Sequence, residues 1–126
     1  MGVSFSVNTE PYPQPRPRVA RGGGVYEPER VVEYKKMLGI AGRLAMRGRP
    51  LFATPVTMTV AIRRNIKIDS RRFGDIDNHL KAVFDALNGV CYTDDALICG
   101  VRATKEKSAQ TGVDVTIEDA EGKKGE

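Results

Sequence analysis

The chain has little of the chemistry that soft metals or disulfide frameworks need. Among its 126 residues there are two cysteines and one histidine. Cys91 and Cys99 lie too far apart in sequence for the paired spacing of a zinc site, and two sulfurs alone do not supply four ligands. They read as free thiols of a reducing compartment. His79 stands beside a helix start, where a lone histidine is a surface or packing residue more often than a general base. There is no long apolar run of the kind that spans a bilayer, no targeting segment and no internal repeat. These absences exclude a membrane-spanning protein and a disulfide-stapled one, and they set the expectation of a cytoplasmic location.

Charge is what the chain does have, and it is unevenly placed. The net charge is +4. Residues 1–74 hold 14 Lys/Arg against 5 Asp/Glu, a balance of +9, whereas residues 75–126 hold 6 against 11, a balance of −5. The densest basic run is Arg63, Arg64, Lys67, Arg71 and Arg72. Such a field suits a polyanion, held by sequence-independent, salt-sensitive contacts. The bland alternative is that these side chains only keep the protein soluble.

Immediately after the basic run comes the most informative stretch, Gly74-Asp75-Ile76-Asp77-Asn78-His79-Leu80-Lys81, followed at a short distance by Asp94-Asp95. Carboxylates crowded together repel unless a cation sits among them. Mg²⁺ takes oxygen ligands, usually one or two protein carboxylates, and leaves its other positions to water and substrate phosphates. Paired ions can activate water and stabilise the leaving oxygen of a phosphodiester, and a nearby lysine can neutralise charge on the phosphate. The competing reading is a solvated helix-capping turn with Lys81 as an i, i+4 partner of Asp77 or Asp85.

The pattern places these groups on recognisable elements. Val3, Phe5 and Val7 alternate as a first strand. Pro11 to Gly24 is a basic loop rich in proline and glycine, expected to move and to order on DNA. Pro28 opens a helix whose apolar stripe is Val31, Tyr34, Leu38, Ala41 and Ala45, ending near Arg47-Gly48. Val56, Met58, Val60 and Ile62 alternate as a second strand. Leu80, Val83, Phe84 and Leu87 mark a second helix, with Asp77 or Asn78 as N-cap and Asn88-Gly89 as the stop. Its polar stripe is Asp77, Lys81 and Asp85. Ala96 to Ala103 and Val113 to Ile117 complete the strands. The result is one α+β domain over residues 1–118 with a small mixed sheet of about four strands and two helices, both on one face. Residues 119–126 are expected to form a disordered tail.

The stretch Asp75-Ile76-Asp77-Asn78, Lys81, Phe84-Asp85-Ala86-Leu87-Asn88-Gly89 and Asp94-Asp95 resembles the RusA-type Holliday-junction resolvases, endodeoxyribonucleases common in phages and prophages. The opening Pro13-Gln14-Pro15-Arg16-Pro17-Arg18, followed by Val25-Tyr26-Glu27-Pro28-Glu29, is similar to the proline- and arginine-rich start of many members. The resemblance runs from about residue 3 to about residue 118. It implies Mg²⁺ as cofactor, with Mn²⁺ as a substitute, a homodimer whose two-fold axis matches that of a four-way junction, and the cytoplasm of a bacterial host. Carried over position by position, it implies Asp75, Asp77 and Asp95 as metal ligands and Lys81 as the catalytic lysine. Asn78, Asp85 and Asp94 match motif positions in supporting roles. The loop Asn88 to Thr93 varies in length among members, which leaves a choice between Asp94 and Asp95 for the third ligand; Asp95 is favoured. Where many members carry Lys or Asn-Arg, this chain has Gln14-Pro15-Arg16, so the basic role there rests on Arg16 and Arg18, joined by Arg71 and Arg72.

The expected activity is structure-selective cleavage of Holliday junctions by paired symmetric nicks, in DNA recombination and repair. A non-catalytic protein that binds branched DNA is the alternative. A metal-dependent hydrolase of small nucleotides is weaker, because a small substrate leaves the arginine-rich first half unexplained.

Overall fold

The computed structural model describes residues 2–15, 18, 19, 22, 23 and 25–120. Arg16, Arg21 and the stretch 121–126 lie outside the described residues, and of Arg18 only the backbone is described. The elements run β1 (Gly2–Val7), β2 (Arg18–Val19), β3 (Val25–Tyr26), α1 (Glu29–Met46), β4 (Val56–Arg64), α2 (Ile76–Leu87), a 3₁₀ turn (Asp95–Leu97), β5 (Ile98–Lys107) and β6 (Gly112–Asp119). The main sheet has the order β1-β6-β4-β5, antiparallel except for the β4–β5 pair. This is the α+β domain with a four-stranded mixed sheet and two helices that the periodicity predicts. The β2–β3 pair forms a separate two-stranded ladder. No helix among the described residues is long and apolar enough to cross a membrane.

β4 lies between two partners, and its alternation decides the sheet's two faces. Val56, Met58, Val60 and Ile62 are buried. Across the ladder they meet Ile117, Val115 and Val113 of β6 and Val101 and Ala103 of β5. Fully burying side chains of this size contributes about 1.5–3 kcal/mol each. The opposite face is polar: Ser4 and Thr116 share a hydrogen bond of 3.0 Å, and Ser6 donates to Asp114 at 2.7 Å.

α1 packs on β1 and α2, and α2 reaches β5. Pro28 is the N-cap of α1, and Arg47 ends it in the left-handed region. Its buried stripe is Val31, Tyr34, Leu38, Gly42 and Met46, so Ala41 and Ala45 are only half-buried. The shift has a steric cause. A Cβ at position 42 would stand 2.8 Å from Leu87 Cδ2 and 2.9 Å from Cys91 Sγ. Glycine there lets the two helices touch.

Three expectations about boundaries are corrected. α2 begins at Ile76 with Asp75 as its N-cap residue, not Asp77 or Asn78. β5 begins at Ile98, because Asp95–Leu97 closes a 3₁₀ turn stabilised by the Asp94 side chain. β6 continues through Asp119, and the Ala120 amide donates to the Pro55 carbonyl at 3.0 Å, so the sheet runs past residue 118.

Candidate active site

The N-terminus of α2 is built by backbone groups. Gly74 has φ +95, a conformation open to glycine at little cost, and a Cβ on it would meet Pro13 Cγ at 2.7 Å and His79 Nε2 at 3.0 Å. The chain then extends through Asp75, whose carbonyl accepts from the amides of Asn78 and His79 at 3.1 Å each. The carboxylate makes no capping bond. Asp75 thus starts the helix with its carbonyl and leaves its charged oxygens free. Asp77 follows in the first turn, where the helix dipole favours negative charge.

The basic loop that leads into this helix is anchored from below. Buried Arg64 donates to the carbonyls of Arg72 and Phe73 at 2.8 Å each and to Glu10 at 2.6 Å. His79 Nε2 lies 2.6 Å from the Phe73 carbonyl, which can only accept, so that nitrogen carries the proton. Lys105 and Arg64 both approach the Phe73 ring, at 4.9 and 5.9 Å from its centroid. Arg63 pairs with Asp114 on the polar face of the sheet and donates to the Gln110 carbonyl. Two of the five basic side chains therefore serve the fold, and Lys67, Arg71 and Arg72 remain exposed.

The loop Pro11–Pro15 is not free of the domain. Pro11 is buried, and the Gln14 amide donates to the Asn78 carbonyl at 2.8 Å. Two open hollows lie on either side of Gln14. One, about 430 Å³, is lined by Pro13, Gln14, Pro15, Arg71, Gly74, Asp75 and Asn78. The other, about 260 Å³, is lined by Gln14, Lys81, Phe84, Asp85 and Asp95. Asp75, Asn78 and Arg71 thus share one hollow, and Lys81, Asp85 and Asp95 share its neighbour. Asp77 lines neither.

Asp95 shares a hollow with Lys81 because the chain after α2 is pinned. Gly89 donates to the Tyr92 carbonyl, Phe52 to Cys91, and Thr93 to Phe52. The Tyr92 hydroxyl donates to the Phe84 carbonyl at 2.7 Å, and burial pushes its pKa up. Asp94 then turns its carboxylate onto the Ala96 amide at 3.0 Å. Asp95 makes no such bond and lines the hollow.

The charge pairing differs from the i, i+4 expectation. Asp85 pairs with Lys35 of α1 at 2.7 Å rather than with Lys81. Lys35 also bonds Glu27 at 2.7 Å, and Gln14 donates its side-chain amide to Glu27. Burial opposes the Lys35 charge, but its bonds to Asp85 and Glu27 prevail and its pKa is raised. Among the described residues, Lys81, Asp75, Asp77 and Asp95 have no ion-pair partner. Nor do any three acidic, histidine or cysteine side chains gather closely enough to hold a metal ion together. The donors present are hard oxygens of the type Mg²⁺ takes, and that ion needs only one or two of them from the protein. Sequence reasoning did not single out Gln14 as a contributor here; its place between two prolines was the available signal.

His79 links the site's support to pH. Its pKa is lowered from 6.5 to about 4 by burial, against the pull of its bond to Phe73. An unfolded histidine takes up a proton below about 6.5, and the folded one resists until about 4. The stability this site contributes is therefore complete above pH 6.5 and is lost as pH falls through that window. We expect a loss of about 2 kcal/mol between pH 7 and pH 5, measured by urea denaturation without divalent metal. His79→Gln, which keeps a donor for Phe73 and does not titrate, should lack that part of the pH dependence; an unchanged slope would refute the assignment.

Comparison with known proteins places the chain in a family. The chain is 29% identical to a Bacillus subtilis (strain 168) protein described as "Uncharacterized protein YqaN", over 137 aligned positions covering 91% of this chain and 94% of the relative. The family model described as "Endodeoxyribonuclease RusA" matches residues 8–118. That span takes in both hollows, the pinned loops and three of the four strands of the main sheet, and the chain belongs to the RusA endodeoxyribonuclease family.

Proposed function

We propose that this protein is a Mg²⁺-dependent, structure-selective endonuclease that resolves four-way DNA junctions by paired symmetric nicks, working as a homodimer, with Mn²⁺ able to substitute. The observation that carries the proposal is a set of charges that have no ion-pair partner among the described residues: Asp95 and Lys81 in one hollow, Asp75 in the neighbouring hollow with the exposed Arg71, and Asp77 in the first turn of α2 outside both. Structural carboxylates are ordinarily paired or bonded, and Asp85 and Asp94 in the same region are.

In this reading Asp75, Asp77 and Asp95 hold metal, which would supply Lewis-acid stabilisation and a more acidic bound water. Lys81 neutralises charge building on the phosphate oxygens. The amides at the start of α2 favour an anion there. Arg16, Arg18, Arg71 and Arg72 contact backbone phosphates and position the strand without reading its sequence. Asn78, Asp85 and Asp94 support: the Asn78 carbonyl holds Gln14, Asp85 ties α2 to α1 through Lys35, and Asp94 shapes the turn that presents Asp95.

The test is a synthetic four-way junction with Mg²⁺. Wild type nicks it symmetrically, while Asp75→Asn and Asp77→Asn bind it without cutting. Cleavage by both variants at the wild-type rate would show these roles to be wrong. One observation favours the non-catalytic alternative: no three acids are gathered among the described residues. Its signature is junction binding indifferent to Mg²⁺ with no product.

A further inference from the structure

α1 carries two apolar stripes, and only one is used by the core. Val31, Tyr34, Leu38 and Met46 face inward. Met37, Ile40 and Leu44 lie on the solvent side at i, i+3 and i+7, with 42%, 62% and 72% of their surfaces exposed. They are three of the five large apolar side chains exposed among the described residues. A scattered exposed leucine is ordinary, but a helical row of three is a contact surface.

Ile40, the middle of the row, lines a groove between α1 and the link that follows α2. One part, about 400 Å³, is lined by Lys36, Gly39, Ile40, Arg43 and Val90. The next, about 200 Å³, is lined by Arg43, Met46, Gly48, Arg49, Leu51, Gly89 and Val90. Arg43 and Val90 belong to both, so the two parts adjoin. The rim is basic. Lys36 has only an exposed contact with Glu33 at 3.7 Å, and Arg49 is turned onto the Ala45 and Met46 carbonyls. Arg43 and Arg47 have no carboxylate partner among the described residues. Cations near a helix C-terminus complement its dipole, which accounts for part of this charge. It does not account for the apolar row beside it. No residue of this groove lines either hollow of the candidate active site.

We propose that this groove is a docking site for an acidic, amphipathic helical segment of another protein, its apolar side chains set against Met37, Ile40 and Leu44 and its carboxylates against Arg43 and Arg47. Charge chooses this occupant. A second copy docked through the same row by two-fold symmetry would bring Lys36, Arg43 and Arg47 against their own counterparts. DNA would satisfy the cations but would cover Ile40 and Leu44 with phosphate rather than with apolar groups. An acidic amphipathic helix satisfies both features, in the helix-in-groove manner.

The test uses a fluorescein-labelled peptide of about 15 residues, with Leu at i, i+3 or i+4, and i+7, and Glu on the flanking positions. Two control peptides replace Glu by Lys or Leu by Ser. Anisotropy should show the Glu/Leu peptide binding at least about tenfold more tightly than either control. Ile40→Ser with Leu44→Ser, and separately Arg43→Glu, should each cost about tenfold or more, with the thermal melt of each variant unchanged. Equal binding of the three peptides, or binding insensitive to these substitutions, overturns the proposal. So does self-association of the wild type that Leu44→Ser abolishes, which would make the row an interface between copies. A loss of duplex-DNA affinity in both Arg43→Glu and Leu44→Ser would likewise make it a nucleic-acid surface.

Discussion

Asp95→Asn is expected to lower junction cleavage by about two to three orders of magnitude, with junction affinity retained, whereas Asp94→Ala is expected to leave cleavage nearly intact. The two residues are neighbours in sequence with opposite employment. The Asp94 carboxylate accepts the Ala96 amide at 3.0 Å and caps the 3₁₀ turn; removing a cap costs about 1 kcal/mol of local stability. Asp95 lines the hollow that holds Lys81 and has no ion-pair partner among the described residues. Its position is fixed by Tyr92, Phe52 and Gly89 through backbone bonds. Asparagine at that position keeps nearly the same shape and removes the charge, so a lost rate reports charge rather than packing. Single-turnover cleavage with Mg²⁺, together with junction binding measured without it, separates the two cases. If Asp94→Ala is the inactive variant and Asp95→Asn cuts normally, the third ligand has been assigned to the wrong member of the pair.

Most of the fold was legible because local periodicity carried it. The alternation of Val56, Met58, Val60 and Ile62 made β4 readable, and Leu80, Val83, Phe84 and Leu87 made α2 readable. What was not legible was decided over long separations. Adjacent residues on a strand point to opposite faces, so Arg63 reaches Asp114 while Arg64 reaches Glu10. A basic run in the sequence cannot show that division. Lys81 was the local partner for Asp85, yet Lys35, fifty residues away, takes it. That exchange bears on the site, because it leaves Lys81 unpaired. The cap of α2 was misplaced for a related reason. Asp77 and Asn78 are good capping residue types, but Gly74 turns the chain so that the Asp75 carbonyl starts the helix. The motif brought Asp75, Asn78, Lys81 and Asp95 to attention. That they divide between two hollows around Gln14 depended on the packing of Pro13 against Gly74.

Arg64→Met should destabilise the protein by about 3 kcal/mol, the largest stability effect expected of any arginine in the basic run. The guanidinium is buried and holds three acceptors in a fork: Glu10, the Arg72 carbonyl and the Phe73 carbonyl. It also lies 5.7 Å from the centroid of the Tyr12 ring. Methionine fills much of the volume but leaves the Arg72 carbonyl and a half-buried carboxylate without this donor, and leaves the buried Phe73 carbonyl only its bond from His79. Arg64→Lys keeps the charge, but a single ammonium cannot reproduce the planar fork, so most of the loss should persist. Glu10→Gln removes only the ionic part of one bond and should cost about 1 kcal/mol. The loop held by this fork carries Arg71 and runs into Asp75, so cleavage should weaken along with stability. Urea denaturation and the salt dependence of junction binding together decide the matter. Were Arg64 a phosphate contact like its exposed neighbours, Arg64→Met would reduce the salt slope by about one unit and weaken binding evenly across sequences, with folding stability untouched. The packing around Phe73 requires the reverse: a large loss of stability, and a salt slope unchanged wherever the variant remains folded.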